Sequence, residues 1–310
     1  MIFARQIQSF AFATGLSVWL ARRKRARGVI MFHGVDDVHM PAEAFETNLR
    51  WLAARFRIVS LGEIVDGMLA GRRPDPHGEL ALTFDDGLAN HFNVAYPVLK
   101  RLGLPATFFV CPELIEGRRW IWNQEARARL QEMTAPARAE FARTNLATDT
   151  DGVEALVQRM KHLSLAERER AEADLRRRTP DFVASPLARR RFDPLTWDQL
   201  MQIDPALITI GSHSLSHPIL PLIDDAALEL EVAASRRMLE QRLDRRVDLF
   251  CYPNGAQDDR VHASVARNYL AAVTTNYGFV RSSDDAHRLM RIPAASSLPL
   301  MAWRMHWPNA

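Results

Sequence analysis

The sequence predicts an α/β fold in which strands and helices alternate to form a (β/α) barrel. Short apolar runs alternate with segments of helical periodicity along most of the 310-residue chain, a pattern typical of parallel sheets with helices between the strands. No G-x-G-x-x-G motif follows the first apolar run, which disfavours a dinucleotide-binding fold. A chain of this length has ample core for one large domain.

The first part of the chain supplies several predicted strands with helices between them. The helical spacing of Phe45, Leu49 and Leu52 predicts a helix over roughly 41–55, and Gly103 marks the C-terminal end of another helix. The strands are predicted at GVIMF (28–32), FRIVS (56–60), LALTF (80–84) and PATFFV (105–110).

A long stretch without strands follows, from about residue 123 to residue 192. Segments such as VEALVQRMKHL and AERERAEADLRRR combine helical periodicity with a high density of charge, which suits helices that are solvated on one face. We interpret residues 123–192 as a helical insertion in the barrel and suggest that it serves as a lid.

The alternation of strands and helices resumes after the insertion. A long helical segment, DDAALELEVAASRRMLEQRL, separates the first two of the later strands. These strands are predicted at ALITIG (206–211), VDLFCYP (247–253), LAAVTT (270–275) and HRLMRIPA (287–294). The barrel is therefore expected to extend over residues 28–310.

The first 27 residues predict an amphipathic, basic helix outside the barrel. Arg5, Gln6 and Gln8 interrupt its apolar stretch, which makes it a poor membrane span. Most of its positive charge follows the apolar residues, whereas a signal peptide carries that charge first. The helix either lies on the inner surface of the membrane or packs on the domain. We therefore expect a cytoplasmic protein, with peripheral membrane contact in the first case.

Composition narrows the classes of function. A net charge of +3, with 47% hydrophobic and 25% charged residues, is typical of a soluble globular protein. The chain has no recognisable nucleic-acid-binding motif, so we expect no nucleic-acid partner. Cys111 and Cys251 each end an apolar run and are expected to be buried free thiols.

Two short motifs point to metal-dependent chemistry. In LTFDDG, Asp85 and Asp86 stand side by side where a strand ends, and two neighbouring carboxylates are costly to bury unless a cation or a proton shares the site. In SHSLSH, His213 and His217 lie four residues apart after a later strand. Two imidazoles and a carboxylate are a usual ligand set for catalytic zinc. One aspartate would bind the cation, and the other would remain free for proton transfer.

These motifs resemble those of the polysaccharide deacetylases, carbohydrate esterase family four. TFDDG (83–87), SHSLSH (212–217) and FCYPNG (250–255) occur in the order found in that family, and the resemblance extends to MFHGV (31–35) and to residues 41–69. It implies a distorted (β/α) barrel of about seven strands. It also implies a divalent metal, zinc in the first instance, with Co²⁺, Ni²⁺ or Mn²⁺ as alternatives.

The resemblance further implies roles for individual residues. Asp85 would be the general base, and a backbone N–H in the CYPNG stretch, that of Tyr252, would stabilise the oxyanion. The expected reaction is hydrolysis of the acetamide of an N-acetylated sugar, in a glycan or a lipid-linked sugar. The implied metal ligands are Asp86, His213 and His217.

The sequence departs from the family pattern at two catalytic positions. The late L-x-H motif that supplies the general acid is missing, so we predict His33 as the acid, with His287 as the fallback; His33 could instead cap a turn. The arginine before the third motif is also absent, and Arg291 could pair with Asp85 in its place or be an ordinary strand-end arginine. Asn254 stands where an aromatic residue is common, which leaves the substrate subsite open.

One regularity supports these assignments independently of the motifs. Barrel enzymes place their active sites at the C-terminal ends of the strands, and six predicted residues lie at or beyond such ends: His33, Asp85, Asp86, His213, Tyr252 and Arg291. Two alternatives stay open. One is a deformylase or another C–N amide hydrolase with the same metal site, and the other is a catalytically inactive glycan-binding protein.

Overall fold

The computed structural model describes residues 2–36 and 38–308, and it contains a closed barrel of parallel strands. Met1 of the predicted N-terminal helix and residues 309–310 of the predicted barrel lie outside the described residues. The strands are β1 (Arg27–Phe32), β2 (Arg57–Ile58), β3 (Glu79–Phe84), β4 (Ala106–Val110), β5 (Ile208–Ser212), β6 (Leu249–Cys251), β7 (Ala271–Tyr277) and β8 (Leu289–Pro293).

Seven of these strands close the barrel, which confirms the predicted fold class. They follow the order β1-β8-β7-β6-β5-β4-β3, and β3 pairs with β1 to complete the circle. The two-residue β2 pairs only with the beginning of β3. Every pairing is parallel, so the C-terminal ends of all seven barrel strands meet at one rim.

The strands form because neighbouring apolar residues are buried on opposite faces of the sheet. Val29, Ala81, Phe109 and Leu249 belong to one buried apolar cluster, and the residue beside each of them belongs to another. Those neighbours are Ile30, Leu82, Phe108 and Phe250. Both faces are therefore packed, as expected of a parallel barrel covered by helices.

Helices occupy most of the connections and both flanks of the chain. They are α1 (Ile2–Ala13), α2 (Leu16–Lys24), α3 (Ala42–Ala53), α4 (Leu61–Leu69), α5 (Tyr96–Leu102), α6 (Pro112–Glu116), α7 (Trp122–Glu132), α8 (Ala135–Leu146), α9 (Val153–Met160), α10 (Leu165–Arg178), α11 (Pro186–Phe192), α12 (Trp197–Gln202), α13 (Asp225–Glu229), α14 (Ser235–Leu243), α15 (Asp259–Asn268) and α16 (Leu298–Arg304). A π-helical turn, Leu230–Ala234, joins α13 to α14.

The N-terminal segment contains two helices where the sequence predicted one. Gly15, with a left-handed φ of 73°, separates α1 from α2, and Arg27 already belongs to β1. Helix α1 packs against α16, and the rings of Phe12 and Trp51 lie 6.1 Å apart. The segment thus packs on the barrel. Among the described residues, none of the helices has the length and hydropathy needed to cross a membrane.

The segment between β4 and β5 has a hydrophobic core of its own. Helices α7 to α10 contribute most of its buried members, including Leu130, Phe141, Leu156, Met160 and Leu175. These helices pack on one another in four pairs: α7 with α9, α7 with α10, α8 with α9, and α8 with α10. The segment is therefore a small packed helical body attached to the barrel rather than a single mobile loop.

Candidate active site

The predicted site residues converge on one rim of the barrel. Asp85 and Asp86 follow β3, while His213 and His217 follow β5. A cleft of about 790 Å³ opens at this rim and is lined by both His33 and Asp86. The convergence follows from the parallel pairing, because the carboxyl ends of neighbouring parallel strands lie side by side.

Three side chains at the floor of this site have the geometry of a metal site. Asp86 Oδ1 lies 3.5 Å from Nε2 of His213 and 3.6 Å from Nε2 of His217, and one ligand atom of each residue lies within 4.8 Å of the others. Tetrahedral ligands bound at 2.0–2.1 Å stand about 3.4 Å apart. The three side chains therefore fit a zinc-like divalent cation and leave a fourth position for water or substrate.

The two histidines differ in the protonation state that their surroundings favour. His213 Nδ1 donates a hydrogen bond of 2.7 Å to the Cys251 carbonyl, which orients the ring with Nε2 facing Asp86. Burial lowers the pKa of His213, but the neighbouring Cys251 and Asp86 outweigh it and hold the pKa well above its usual value, so a bound cation would replace a proton on Nε2. Burial, reinforced by the neighbouring His213, lowers the pKa of His217 to about 3. His217 is therefore a neutral imidazole at physiological pH.

A buried glutamate supports the histidine loop, residues 213–217. Glu231, in the π-helical turn between α13 and α14, accepts hydrogen bonds from the backbone N–H groups of Leu215 (2.8 Å) and Ser216 (2.9 Å). His217 itself has a left-handed φ of 65°, a conformation that persists in a non-glycine residue only when its surroundings determine it. Glu231 supplies part of that determination, and no local pattern in the sequence indicates it.

Asp85 has a different environment from Asp86, although the two are neighbours. Arg291 Nη1 and Nη2 donate to Asp85 Oδ1 and Oδ2, both at 2.7 Å, and both side chains are buried. Burial alone would raise the pKa of Asp85, but the charge and hydrogen bonds of Arg291 outweigh it and lower the pKa to about 2. Of the two roles considered for Arg291, pairing with Asp85 is the one that the structure shows.

The two candidates for general acid lie in different places. His33 is exposed and lines the cleft together with Asp86, and its carbonyl accepts a hydrogen bond of 2.8 Å from His91 Nε2. His287 instead donates through Nε2 to the carbonyl of Tyr269 at 2.9 Å and does not line the cleft. The structure brings His33, and not the fallback His287, to the cleft.

The position of Tyr252 argues against the predicted oxyanion donor. Its N–H donates to the Val273 carbonyl at 3.2 Å, because the strand ladder between β6 and β7 continues through it, and its hydroxyl donates to the carbonyl of His287. Asn254, in the turn that follows, has a left-handed φ of 54°. Its N–H donates no hydrogen bond within the described part of the chain, so Asn254 is the available backbone donor in this turn.

The sequence is similar to that of known proteins. A model of the polysaccharide deacetylase family matches residues 72–273. YxkH of Bacillus subtilis (strain 168), a protein named for the same family, is 25% identical over 119 residues, or 37% of this chain. The match spans 43% of YxkH, less than half the length of that relative.

Solved structures share the fold. The Streptococcus pyogenes deacetylase PplD, in complex with acetate, superposes with a TM-score of 0.62 at 18% identity, over 91% of this chain and 98% of PplD. IcaB from Ammonifex degensii superposes with a TM-score of 0.60 at 18% identity, over 92% of this chain and 97% of IcaB. The family match covers well over half of the sequence, and the chain belongs to the polysaccharide deacetylase family.

Proposed function

We propose that this protein is a metal-dependent hydrolase that removes the N-acetyl group from an N-acetylated sugar of a polysaccharide or glycolipid. The observation that carries the proposal is the division of the aspartate pair: Asp86 faces two imidazoles, while Asp85 is an ionised carboxylate held by Arg291. Pure binding of a glycan would not require a second, separately held carboxylate beside a metal site.

Asp86, His213 and His217 are the residues that would hold the cation. When bound, a divalent cation of this kind lowers the pKa of water and polarises a carbonyl oxygen. Asp85 is ionised at neutral pH and accepts a proton from the attacking water. Arg291 fixes both oxygens of Asp85, so the carboxylate keeps its orientation throughout the reaction.

The remaining steps are assigned to residues that follow the C-terminal ends of β1 and β6. His33 is exposed there and donates a proton to the departing amine, the role that a general acid must fill in amide hydrolysis. The N–H of Asn254 is the backbone donor available to the developing oxyanion. Hydrolysis of an N-formyl group or of another C–N amide would use the same residues. The identity of the acyl group that is removed therefore needs a direct assay.

The test combines metal content with amine release. We expect about one zinc-like ion per chain in the purified protein, its loss in His217→Ala, and amine release from N-acetylated oligosaccharides by the wild type alone. Release from formylated and not from acetylated sugars would move the activity to deformylation. A wild type that neither contains nor takes up a divalent metal would overturn the hydrolase and leave the glycan-binding alternative.

A further inference from the structure

The helical insertion is tied to the loop that carries the aspartates. We call residues 85–90 the aspartate loop and residues 190–195 the return segment, which leads from the insertion back to the barrel. Leu195 N–H donates to the Gly87 carbonyl at 2.8 Å, and Ala89 N–H donates to the Asp193 carbonyl at 2.7 Å. The two segments thus pair through their backbones, with an antiparallel bridge between Leu88 and Pro194.

The chain just before the insertion is fastened to the same return segment. Arg118 Nη1 donates to the carbonyls of Pro194 (2.9 Å) and Leu195 (3.0 Å). The indole N–H of Trp120 donates to Asp193 Oδ1 at 2.7 Å. The return segment therefore braces the aspartate loop and is itself held by the chain that leads into the insertion, an arrangement that is difficult to reconcile with a freely moving lid.

One side chain of the insertion reaches the metal site itself. Gln124, in the first turn of α7, donates through Nε2 to Asp86 Oδ2 at 3.2 Å, while Oδ1 of the same carboxylate faces His213 and His217. Gln124 is 6% exposed, and its Oε1 is buried without a hydrogen-bond partner in the described part of the chain. Burying an amide with one unpaired group costs free energy. The bond to Asp86 is the hydrogen bond that the Gln124 side chain makes at this position.

The backbone of Asp86 makes such support necessary. Its φ of 78° is left-handed, a region in which a non-glycine residue is held only by its surroundings. A carboxylate with one oxygen bonded to an amide presents the other oxygen in a fixed direction, as hydrogen-bonding partners of metal ligands generally do. Without the amide, the carboxylate would be free to rotate away from the histidines.

We propose that Gln124 is a positioning residue for the metal, through which the helical insertion sets the metal affinity of the barrel. This inference rests on the proposed function, because it requires that Asp86, His213 and His217 bind a cation. It assigns the insertion a role in building the metal site.

The test measures the affinity for Zn²⁺ by competition with a chromophoric chelator at neutral pH. Gln124→Met keeps the length and the helix propensity of the side chain and removes the amide. We expect it to weaken Zn²⁺ binding about 10- to 100-fold, the usual cost of losing a partner of a metal ligand. Gln131→Met, on the same helix and lining the same cleft, should bind Zn²⁺ as the wild type does. Gln124→Ala serves as the second variant if Gln124→Met folds poorly.

Thermal unfolding of the metal-free proteins separates positioning from packing. A positioning role predicts nearly equal unfolding temperatures for metal-free wild type and Gln124→Met, together with the loss of affinity. Unchanged Zn²⁺ affinity in both Gln124 variants would overturn the inference, with or without a loss of stability. A wild type that does not bind Zn²⁺ at all would instead overturn the proposed function.

Discussion

Two neighbouring aspartates in one turn have different environments, because the chain directs their side chains to different partners. Asp85 lies against Arg291, which is wholly buried, and Asp86 lies against two imidazoles. Each carboxylate is thereby compensated separately, so the mutual repulsion that two buried charges would suffer is offset. In the proposed mechanism, this separation would give a base and a metal ligand only one residue apart.

Replacing the base should separate catalysis from metal binding. Asp85→Asn keeps the size and an acceptor for Arg291 but removes the proton-accepting carboxylate, so we expect a loss of turnover of roughly 10²- to 10⁴-fold, the usual range for a general base. Metal content should stay at the wild-type level, whereas His217→Ala should lose the metal. Parallel measurement of amine release and of bound metal checks this, and full turnover in Asp85→Asn would rule out its role as the base.

Breaking the buried pair from its other side should affect stability. Arg291→Met leaves the Asp85 carboxylate buried and unpaired, which we expect to lower the free energy of unfolding by about 3–5 kcal/mol. Arg288→Met, which removes an exposed partner of Asp259, should change it little. Urea unfolding of the metal-free proteins gives both values. Equal effects of the two substitutions would contradict a stabilising role for the buried pair.

The same pair makes a prediction about acid stability. The pKa of Asp85 is lowered from 3.8 to about 2 on folding, so its contribution is present above pH 3.8 and is lost as the pH falls through about 2. The shift corresponds to about 2 kcal/mol. Urea unfolding between pH 5 and pH 2 should therefore show a steeper decline for the wild type than for Asp85→Asn. Parallel curves for the two proteins would contradict the lowered pKa.

At the scale of single residues, the sequence predicted those whose position at the site follows from the end of a strand. It missed those that reach the site through contacts between distant parts of the chain. Strand ends bring Asp86 and His213 together in any parallel barrel. No local pattern indicates that Gln124 or Glu231 reaches the site, because each comes from an element whose packing is decided by the whole fold. The sequence also does not show that the ladder of β6 extends to the N–H of Tyr252, which donates to Val273.

Among the elements, the turns after the strands are the most constrained. Gly87 has a left-handed φ of 63°, and a Cβ placed on it would lie 3.0 Å from the Cβ of Val110. Gly103, at the end of α5, has a similar φ of 65° but open space around it. The two glycines therefore share the conformational requirement and differ in crowding.

Alanine substitution at both positions should expose that difference. Gly103→Ala carries only the cost of a left-handed residue, about 1–2 kcal/mol. Gly87→Ala adds the clash with Val110 and displaces the aspartate loop, so it should lose more stability and should also weaken Zn²⁺ binding. Chemical unfolding and chelator competition provide the two readouts. Zn²⁺ binding by Gly87→Ala equal to that of Gly103→Ala would show that the loop tolerates the displacement.

The elements themselves were largely predictable. Apolar runs located all eight strands to within a few residues, since a strand buried on both faces needs such a run. The run FRIVS yielded only the two-residue β2, because it pairs with just the beginning of β3. The predicted N-terminal helix divides at Gly15, and the insertion has its own core. Both features arise from tertiary packing, which helical periodicity alone does not predict.

For the molecule as a whole, the N-terminal helices raise the question of what lies beside them. Their buried side, with Ala11 and Ala21, packs on the barrel, while Phe10 (68%) and Trp19 (50%) are exposed. Ile7 and Leu16, each three residues before one of these aromatics, are also exposed and extend the apolar surface along both helices. The basic residues that follow would suit an anionic surface.

We propose that this surface holds the protein at a membrane, and vesicle sedimentation tests it. The wild type should bind vesicles containing anionic lipid and should bind them more weakly at high salt. The double variant Phe10→Ser/Trp19→Ser should bind at least about tenfold more weakly, because burial of each aromatic side chain contributes up to about 1.5–3 kcal/mol. Val183→Ser, which removes an exposed apolar residue of the insertion, is the control and should bind normally. A wild type that stays in the supernatant would leave packing on the barrel as the sole role of these helices.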